Sequence, residues 1–300
     1  MFNGKTYIGE EGYIELLSDV LHNGVDIPDR TDVGMSRALF DAKLIYPEGM
    51  FPFSTFRPAP FEKAFKEFWF FMNGKTQTKE LEAQGVNFWV GNTTRDFLDN
   101  RGLNQLEEGD MGMAYGYQWR SYNKGLVSPE NEIDQLIDTV ETLKKDRYSR
   151  RVYTTFWNPS ASKYMALTPC WHSHQFVILP NEKGEDTLHL KLISRSLDVL
   201  FGASYALMQY KAYQMCIAKL LKVNCGTLSC DLTQHHLYHN QLEYTKEAIQ
   251  RPLGKQGTLE INKELNSIED ILSMEYSDFE IKGLEVNTTK FINKLPKMAA

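Results

Sequence analysis

Apolar residues recur with a helical period over residues 9–23, where Tyr13, Leu16, Leu17, Val20 and Leu21 share one face and Asn23-Gly24 supplies a stop. A Pro/Asp/Gly loop over 28–34 follows, and residues 36–46 read as a strand. Residues 61–72 predict a strongly apolar helix, interrupted by Glu62, Lys63, Lys66 and Glu67 and stopped at Asn73-Gly74. Residues 92–111 are polar and loop-rich, with helical patches. Residues 131–145 predict a helix, and 151–157 alternate like a strand. Residues 176–179 and 187–193 predict a hairpin whose turn holds Pro180-Asn181 and Lys183-Gly184. Residues 205–221 are apolar nearly all round, the pattern of a helix that crosses a core. A strand over 227–237 and a helix over 239–250 come next, then an irregular stretch over 251–268. With no repeats, low-complexity runs or linker, residues 1–300 read as a single α/β domain.

Composition narrows the function classes. At 42% hydrophobic and 24% charged, the 300 residues describe a soluble globular chain. A net charge of -6 and a pI near 5.7 argue against a general nucleic-acid binder, which needs a basic face, but leave room for a local phosphate pocket. Cys170, Cys216, Cys225 and Cys230 lack paired CxxC spacing, so no zinc site is expected. Scattered thiols without a secretory leader suggest a reducing, cytoplasmic setting, or the host cytoplasm for a viral protein. No apolar run reaches the roughly 18 residues of a membrane span.

Against that background a few residues carry chemistry. Cys170 stands behind Pro169 and ahead of Trp171-His172-Ser173-His174, a setting in which a stiffened backbone and hydrogen-bonding neighbours suit a thiolate nucleophile. Free cysteines are commonly small buried hydrophobes, so the thiol alone leaves both readings open. Arg30 in its loop, the pair Arg150-Arg151 before a strand, and Arg195-Ser196 at a strand end are placed as an anion would want them. Each arginine by itself reads more simply as a solvated or ion-paired surface group. His236 and Tyr238 are two apart on a strand, share a face, and could grip a sugar hydroxyl. Glu67 is surrounded by aromatic residues, so desolvation would raise its pKa towards general acid–base use, whereas a helix-surface pair with Lys63 is the plainer alternative.

Taken together, these segments resemble the thymidylate synthase family along nearly the whole chain. Asp29-Arg30-Thr31 is similar to its phosphate-binding D-R-T loop, and Glu67 through Gly74 to its E-x-x-W-F-L-x-G helix, with Phe70 at the tryptophan position. Trp89 to Leu98 resembles W-D-x-N-x-S-R-x-F-L, and Glu108-Gly109-Asp110 with Tyr115 to Arg120 resembles E-G-D-L-G-P-V-Y-G-x-Q-W-R. Ser149-Arg150-Arg151, Trp157-Asn158-Pro159, Pro169-Cys170, Gln175-Phe176, Arg195-Ser196-Leu197-Asp198, Gly202, His236-Leu237-Tyr238 and Asp278-Phe279 follow in family order. The resemblance implies an α/β (α+β) fold with a large twisted mixed sheet covered by helices, paired sheet to sheet in a homodimer. It also implies roles. Cys170 would add to C6 of a pyrimidine nucleoside monophosphate, making C5 nucleophilic towards the methylene carbon of 5,10-methylenetetrahydrofolate. Glu67 and Tyr115 would move protons, with Asn158 a further catalytic residue. Arg30, Arg195 and Ser196 would bind the phosphate, joined by Arg150 and Arg151 from the partner subunit, and His236 and Tyr238 would hold the sugar. Trp171, Gln175, Ser204 and Ala206 would meet the base. Trp89, Asn92, Asp198, Gly202, Tyr205 and Ala299 would face the folate.

The departures from the family pattern gather at the base. Trp171 replaces the histidine after the cysteine, and an ungapped match puts Ala206 at the asparagine that recognises uracil. Alanine neither donates nor accepts through its side chain, and losing such a contact costs on the order of 1–3 kcal/mol. A two-residue shift would place Ser204 there instead. On the folate side Val90 replaces an aspartate, and Met113-Ala114 replaces Pro-Val. Looser packing there would let water, rather than hydride, reach the transferred carbon. The resulting expectation is a (deoxy)cytidylate 5-hydroxymethylase, with thymidylate synthase on dUMP or dUMP hydroxymethylation as the alternatives, and a silent nucleotide-binding relative behind them.

Overall fold

Nine strands and nine α-helices are formed among the residues described by the computed structural model, 2–126 and 128–297, with side chains from residue 4 onward. The strands are β1 (Phe2–Ile8), β2 (Val25–Pro28), β3 (Met35–Tyr46), β4 (Tyr153–Thr155), β5 (Trp171–Pro180), β6 (Asp186–Asp198), β7 (Asn224–Tyr238), β8 (Thr258–Ile261) and β9 (Phe279–Lys282). The helices are α1 (Gly9–Asn23), α2 (Phe61–Met72), α3 (Lys79–Glu82), α4 (Arg95–Asn100), α5 (Tyr115–Arg120), α6 (Gln135–Lys145), α7 (Gly202–Leu221), α8 (Leu242–Ala248) and α9 (Ile268–Leu272).

Seven strands make one mixed sheet in the order β1-β3-β7-β6-β5-β4, with β2 and β1 sharing one edge of β3. The β1–β3 and β6–β7 pairs are parallel and the others antiparallel. Helix α7 lies on the inner face against β6 and β7, and α2 packs on α7. The architecture is α+β with a helix-covered mixed sheet, as the resemblance implied. Nine of the twelve α2 residues are buried, as are sixteen of the twenty in α7, so the core is built where these two helices cross. Each fully buried aromatic or aliphatic side chain there contributes about 1.5–3 kcal/mol of transfer free energy.

The helices over 9–23 and 61–72 have the bounds that the sequence pattern gave. Helix α6 starts later than expected, because the Asp134 carboxylate accepts from the N–H groups of Leu136 and Ile137 and fixes the N-cap there. Helix α7 begins three residues earlier than its apolar run, after a three-residue turn from the end of β6. The expected strand over 151–157 shrinks to β4, and the expected helix over 239–250 opens with a 3-10 turn before α8. Strand β5 begins at Trp171 rather than 176, through an irregularity between Trp171 and Ser173 that turns Trp171 inward. Strands β1, β2, β8 and β9 have no clear pattern of their own. Their pairing partners create them, as in the short β8–β9 ribbon within the stretch read as irregular and the tail beyond it.

This topology brings three strand ends together. The backbone N–H of Arg195 donates to the Cys170 carbonyl at 3.0 Å, while Ser196 and Asp198 on β6 run level with Gln234 and His236 on β7. The N-terminus of α7 rises from the same edge.

Candidate active site

A cavity of about 400 Å³ opens at that edge, lined by Cys170, Glu67, Trp89, Asn92, Tyr115, Trp171, Ser196, Asp198, Gly202, Tyr205 and Ala206 among others. Thus eleven of the residues singled out from sequence converge on one chamber from five separate chain segments.

The thiol is held by its neighbours on both sides. The Cys170 N–H donates to the Tyr115 hydroxyl at 2.8 Å, and the Arg195 guanidinium lies 4.0 Å from the sulfur. Burial pushes the Cys170 thiol pKa up, while Arg195 and then Arg30 pull it back down. The helpful cations are therefore arginines from elsewhere in the chain, not the histidines beside the cysteine. His172 is shifted to lower pKa by burial and Arg195, and His174 is fully buried among rings, with its pKa lowered to about 3. Arg195 is itself fixed by donating to the Pro169 carbonyl (3.0 Å) and to Thr168 (2.9 and 3.0 Å), so the cysteine loop and the guanidinium position one another.

Glu67 faces the thiol's chamber from α2. Its carboxylate accepts from Trp89 Nε1 at 2.6 Å and from Gln209 Nε2 at 2.5 Å. Burial raises its pKa from 4.5 to about 7, although both hydrogen bonds work in the opposite direction. A pair with Lys63 is not formed among the described residues. The surface i,i+4 bridge on this helix joins Lys66 to Glu62 instead. Tyr115 stacks on Phe71 with centroids 5.1 Å apart, and burial with the nearby thiol raises its phenol pKa well above 10.

Of the phosphate and sugar candidates Ser196 lines the cavity and Arg195 reaches it through the Cys170 sulfur, whereas Arg30, Arg150, Arg151, His236 and Tyr238 lie outside its lining. Burial lowers the His236 pKa while Asp198 and Asp29 oppose that shift, and burial with Asp198, Asp29 and Cys170 raises that of Tyr238. Their rings meet edge to face at 4.9 Å. The His236 Nε2 is sealed without a partner among the described residues. Arg30 is exposed on the loop between β2 and β3, and Arg150 and Arg151 are exposed before β4.

Other candidates lie elsewhere. Asn158 is buried, but its amide donates to Gln118 (3.2 Å) and Asn123 (3.1 Å), away from the chamber. Gln175 sits on the outer face of β5 and donates to the Arg150 carbonyl, because the irregularity after Trp171 changes the phase of the strand. Ser204 accepts from Arg57 at 2.6 Å and donates to the Phe201 carbonyl, so Ala206, not Ser204, is the α7 side chain of that pair at the cavity wall. Val90 is exposed and lines nothing there. Ala299 falls outside the described residues. Arg57, Phe88, Gln209 and Tyr210, not singled out from sequence, line the chamber, as do Lys63, read as a surface partner of Glu67, and Leu295 and Pro296 near the C-terminus. The available signal was polarity in the wrong place: Arg57 ends an uncharged, phenylalanine-rich stretch over 51–56, and Gln209 interrupts an apolar helix.

The family model for thymidylate synthase matches residues 11–293. The chain belongs to the thymidylate synthase family. It is similar to the thymidylate synthase of Equine herpesvirus 2 (32% identical, covering 91% of this chain and 94% of that protein). It is similar also to those of Homo sapiens (31%, 94% and 89%) and Candida albicans (30%, 92% and 94%). As a family member it is a one-carbon transferase that acts at C5 of a pyrimidine nucleotide, with 5,10-methylenetetrahydrofolate as co-substrate and no metal requirement. Among the described residues no cluster of three or more His, Cys, Asp or Glu side chains could hold a metal, and no helix is long and apolar enough to cross a membrane.

Proposed function

We propose that this thymidylate synthase family member methylates dUMP at C5 and releases dihydrofolate. The observation that carries this reading is the arrangement of the thiol, its arginine and the pKa-7 carboxylate around one largely apolar chamber, which Leu295 and Pro296 help to enclose. Cys170 adds to C6 of the pyrimidine, with Arg195 stabilising the thiolate. Glu67, half ionised near neutral pH, exchanges protons with the base, and Tyr115 assists removal of the proton from C5. Arg30, Arg195 and Ser196 hold the phosphate, and His236 with Tyr238 holds the sugar.

The walls fit the folate: aromatic faces from Trp89, Phe88 and Tyr205 suit a flat ring, Asp198 accepts from ring N–H groups, and Arg57 and Lys63 suit its carboxylates. The folate supplies the one-carbon unit and the hydride. The protein's part is to orient it and exclude water. Val90 is exposed and does not line the cavity, so its replacement of an aspartate does not itself support a hydroxymethyl product.

A second reading, hydroxymethylation of a (deoxy)cytidylate, is favoured by Trp171 and Ala206 at the base wall. Incubation with methylenetetrahydrofolate and dUMP, dCMP or CMP in turn separates the two. The proposal expects dihydrofolate absorbance with dUMP, and a hydroxymethylated nucleotide without dihydrofolate would overturn it.

The same proposal includes a cytoplasmic homodimer of single-domain chains, joined through the outer face of the sheet, where Tyr153 on β4 is solvent-exposed, as is Trp157 just beyond it. Arg150 and Arg151 would then reach the partner's phosphate site. Light scattering that shows only monomer would sink this part.

A further inference from the structure

We propose that the indole N–H of Trp171 and the side-chain amide oxygen of Gln209 form a donor–acceptor pair that reads the base edge, the indole donating to O4 of uracil and the amide accepting from N3–H. This rests on the dUMP reading above and supplies the recognition that Ala206 cannot.

Both residues are only 6% exposed and both line the chamber that holds Cys170. The Trp171 Nε1–H makes no hydrogen bond among the described residues and is not one of the unpartnered atoms sealed inside the protein, and the residue itself lines the chamber. Gln209 lies three residues beyond Ala206, on the same face of α7. Its Nε2 donates to Glu67 Oε2 at 2.5 Å and to the Ala64 carbonyl at 3.2 Å. The Ala64 carbonyl can only accept, so turning the amide round would set oxygen against oxygen there whatever the protonation state of Glu67. The orientation is therefore chemically fixed. The remaining Oε1 accepts nothing among the described residues and is likewise unsealed. Tyr210, whose ring lies 6.3 Å from that of Trp171, also borders the chamber, but a hydroxyl can donate or accept and so does not discriminate.

Uracil offers an acceptor at C4 and a donor at N3, which match this pair. Cytosine in the same pose would set its 4-amino group against the indole N–H and its N3 lone pair against the amide oxygen. Both contacts become like against like in a desolvated site, where unpaired polar atoms are costly.

The test is equilibrium binding of dUMP and dCMP, without folate, to the parent protein, Trp171→Phe and Gln209→Ala, alongside kcat/KM for both nucleotides. Phenylalanine keeps a packed ring and removes only the donor. Binding is read because an effect passed through Glu67 would slow both nucleotides alike without moving their binding ratio. In each variant dUMP affinity should fall about tenfold while dCMP affinity holds, so the ratio falls about tenfold. An unchanged ratio in folded variants overturns the proposal. A parent that turns over dCMP and not dUMP overturns the functional reading instead. In that case a ratio that collapses in both variants still supports the pair as the reader, with its two contacts exchanged.

Discussion

At Glu67 a glutamine keeps the shape of the side chain and removes its charge. The folded carboxyl has a pKa of about 7 against an ordinary 4.5, and each pH unit across that gap is worth about 1.36 kcal/mol. The native state holds the proton more tightly than the unfolded chain, so this group's contribution is fully present below pH 4.5. It falls between 4.5 and 7 and stays lost above, a swing of about 3 kcal/mol. Glutamine escapes that swing but brings an NH₂ group between two donors, Trp89 Nε1 and Gln209 Nε2, and the mispairing costs about 1–2 kcal/mol at any pH. Glu67→Gln is therefore expected to be less stable than the parent near pH 5 and more stable, by about 1–2 kcal/mol, near pH 8.5. Urea titrations at one fixed protein concentration and several pH values measure this directly. A stability difference that stays constant with pH would refute the burial argument. The same variant should lose the pH-rate limb near 7 and about 10²–10⁴-fold in kcat.

Four further variants have expected outcomes. Cys170→Ser should abolish turnover while nucleotide binding persists, and Arg195→Ala should move thiol alkylation to higher pH, since the guanidinium lowers the thiol pKa. His174 has both ring nitrogens sealed without partners among the described residues, so His174→Phe should stabilise the protein by about 1–3 kcal/mol. The parent's pKa of about 3 means that stability is lost as pH falls below 6.5, where the unfolded imidazole takes a proton that the folded one refuses, so the phenylalanine variant should also resist acid better. Asp134→Ala removes the α6 N-cap and the 2.8 Å bridge to Arg120, and should cost about 1–2 kcal/mol by denaturant midpoint.

Local pattern was enough for α1 and α2, because one-sided apolar spacing and an Asn-Gly stop specify a helix within its own residues. Ordered motifs were likewise enough to mark Cys170, Glu67, Tyr115 and Arg195, whose chemistry is written in their residue types. Strands such as β1 and β8 were not legible, since their hydrogen-bond partners lie far off in sequence.

The sequence by itself determined which groups are present: one thiol behind a proline, a carboxyl among rings, several arginines, and an alanine where a base reader was expected. Tertiary structure decided how those groups behave. It set a distant arginine 4.0 Å from the sulfur and made His174 a core ring rather than an activating cation. Gln175 went to the outer face, and Gln209, a polar interruption of an apolar helix, came to rest against Glu67. The physical reason is that pKa, hydrogen-bond orientation and exposure are set by burial and by neighbours that the chain supplies from other segments.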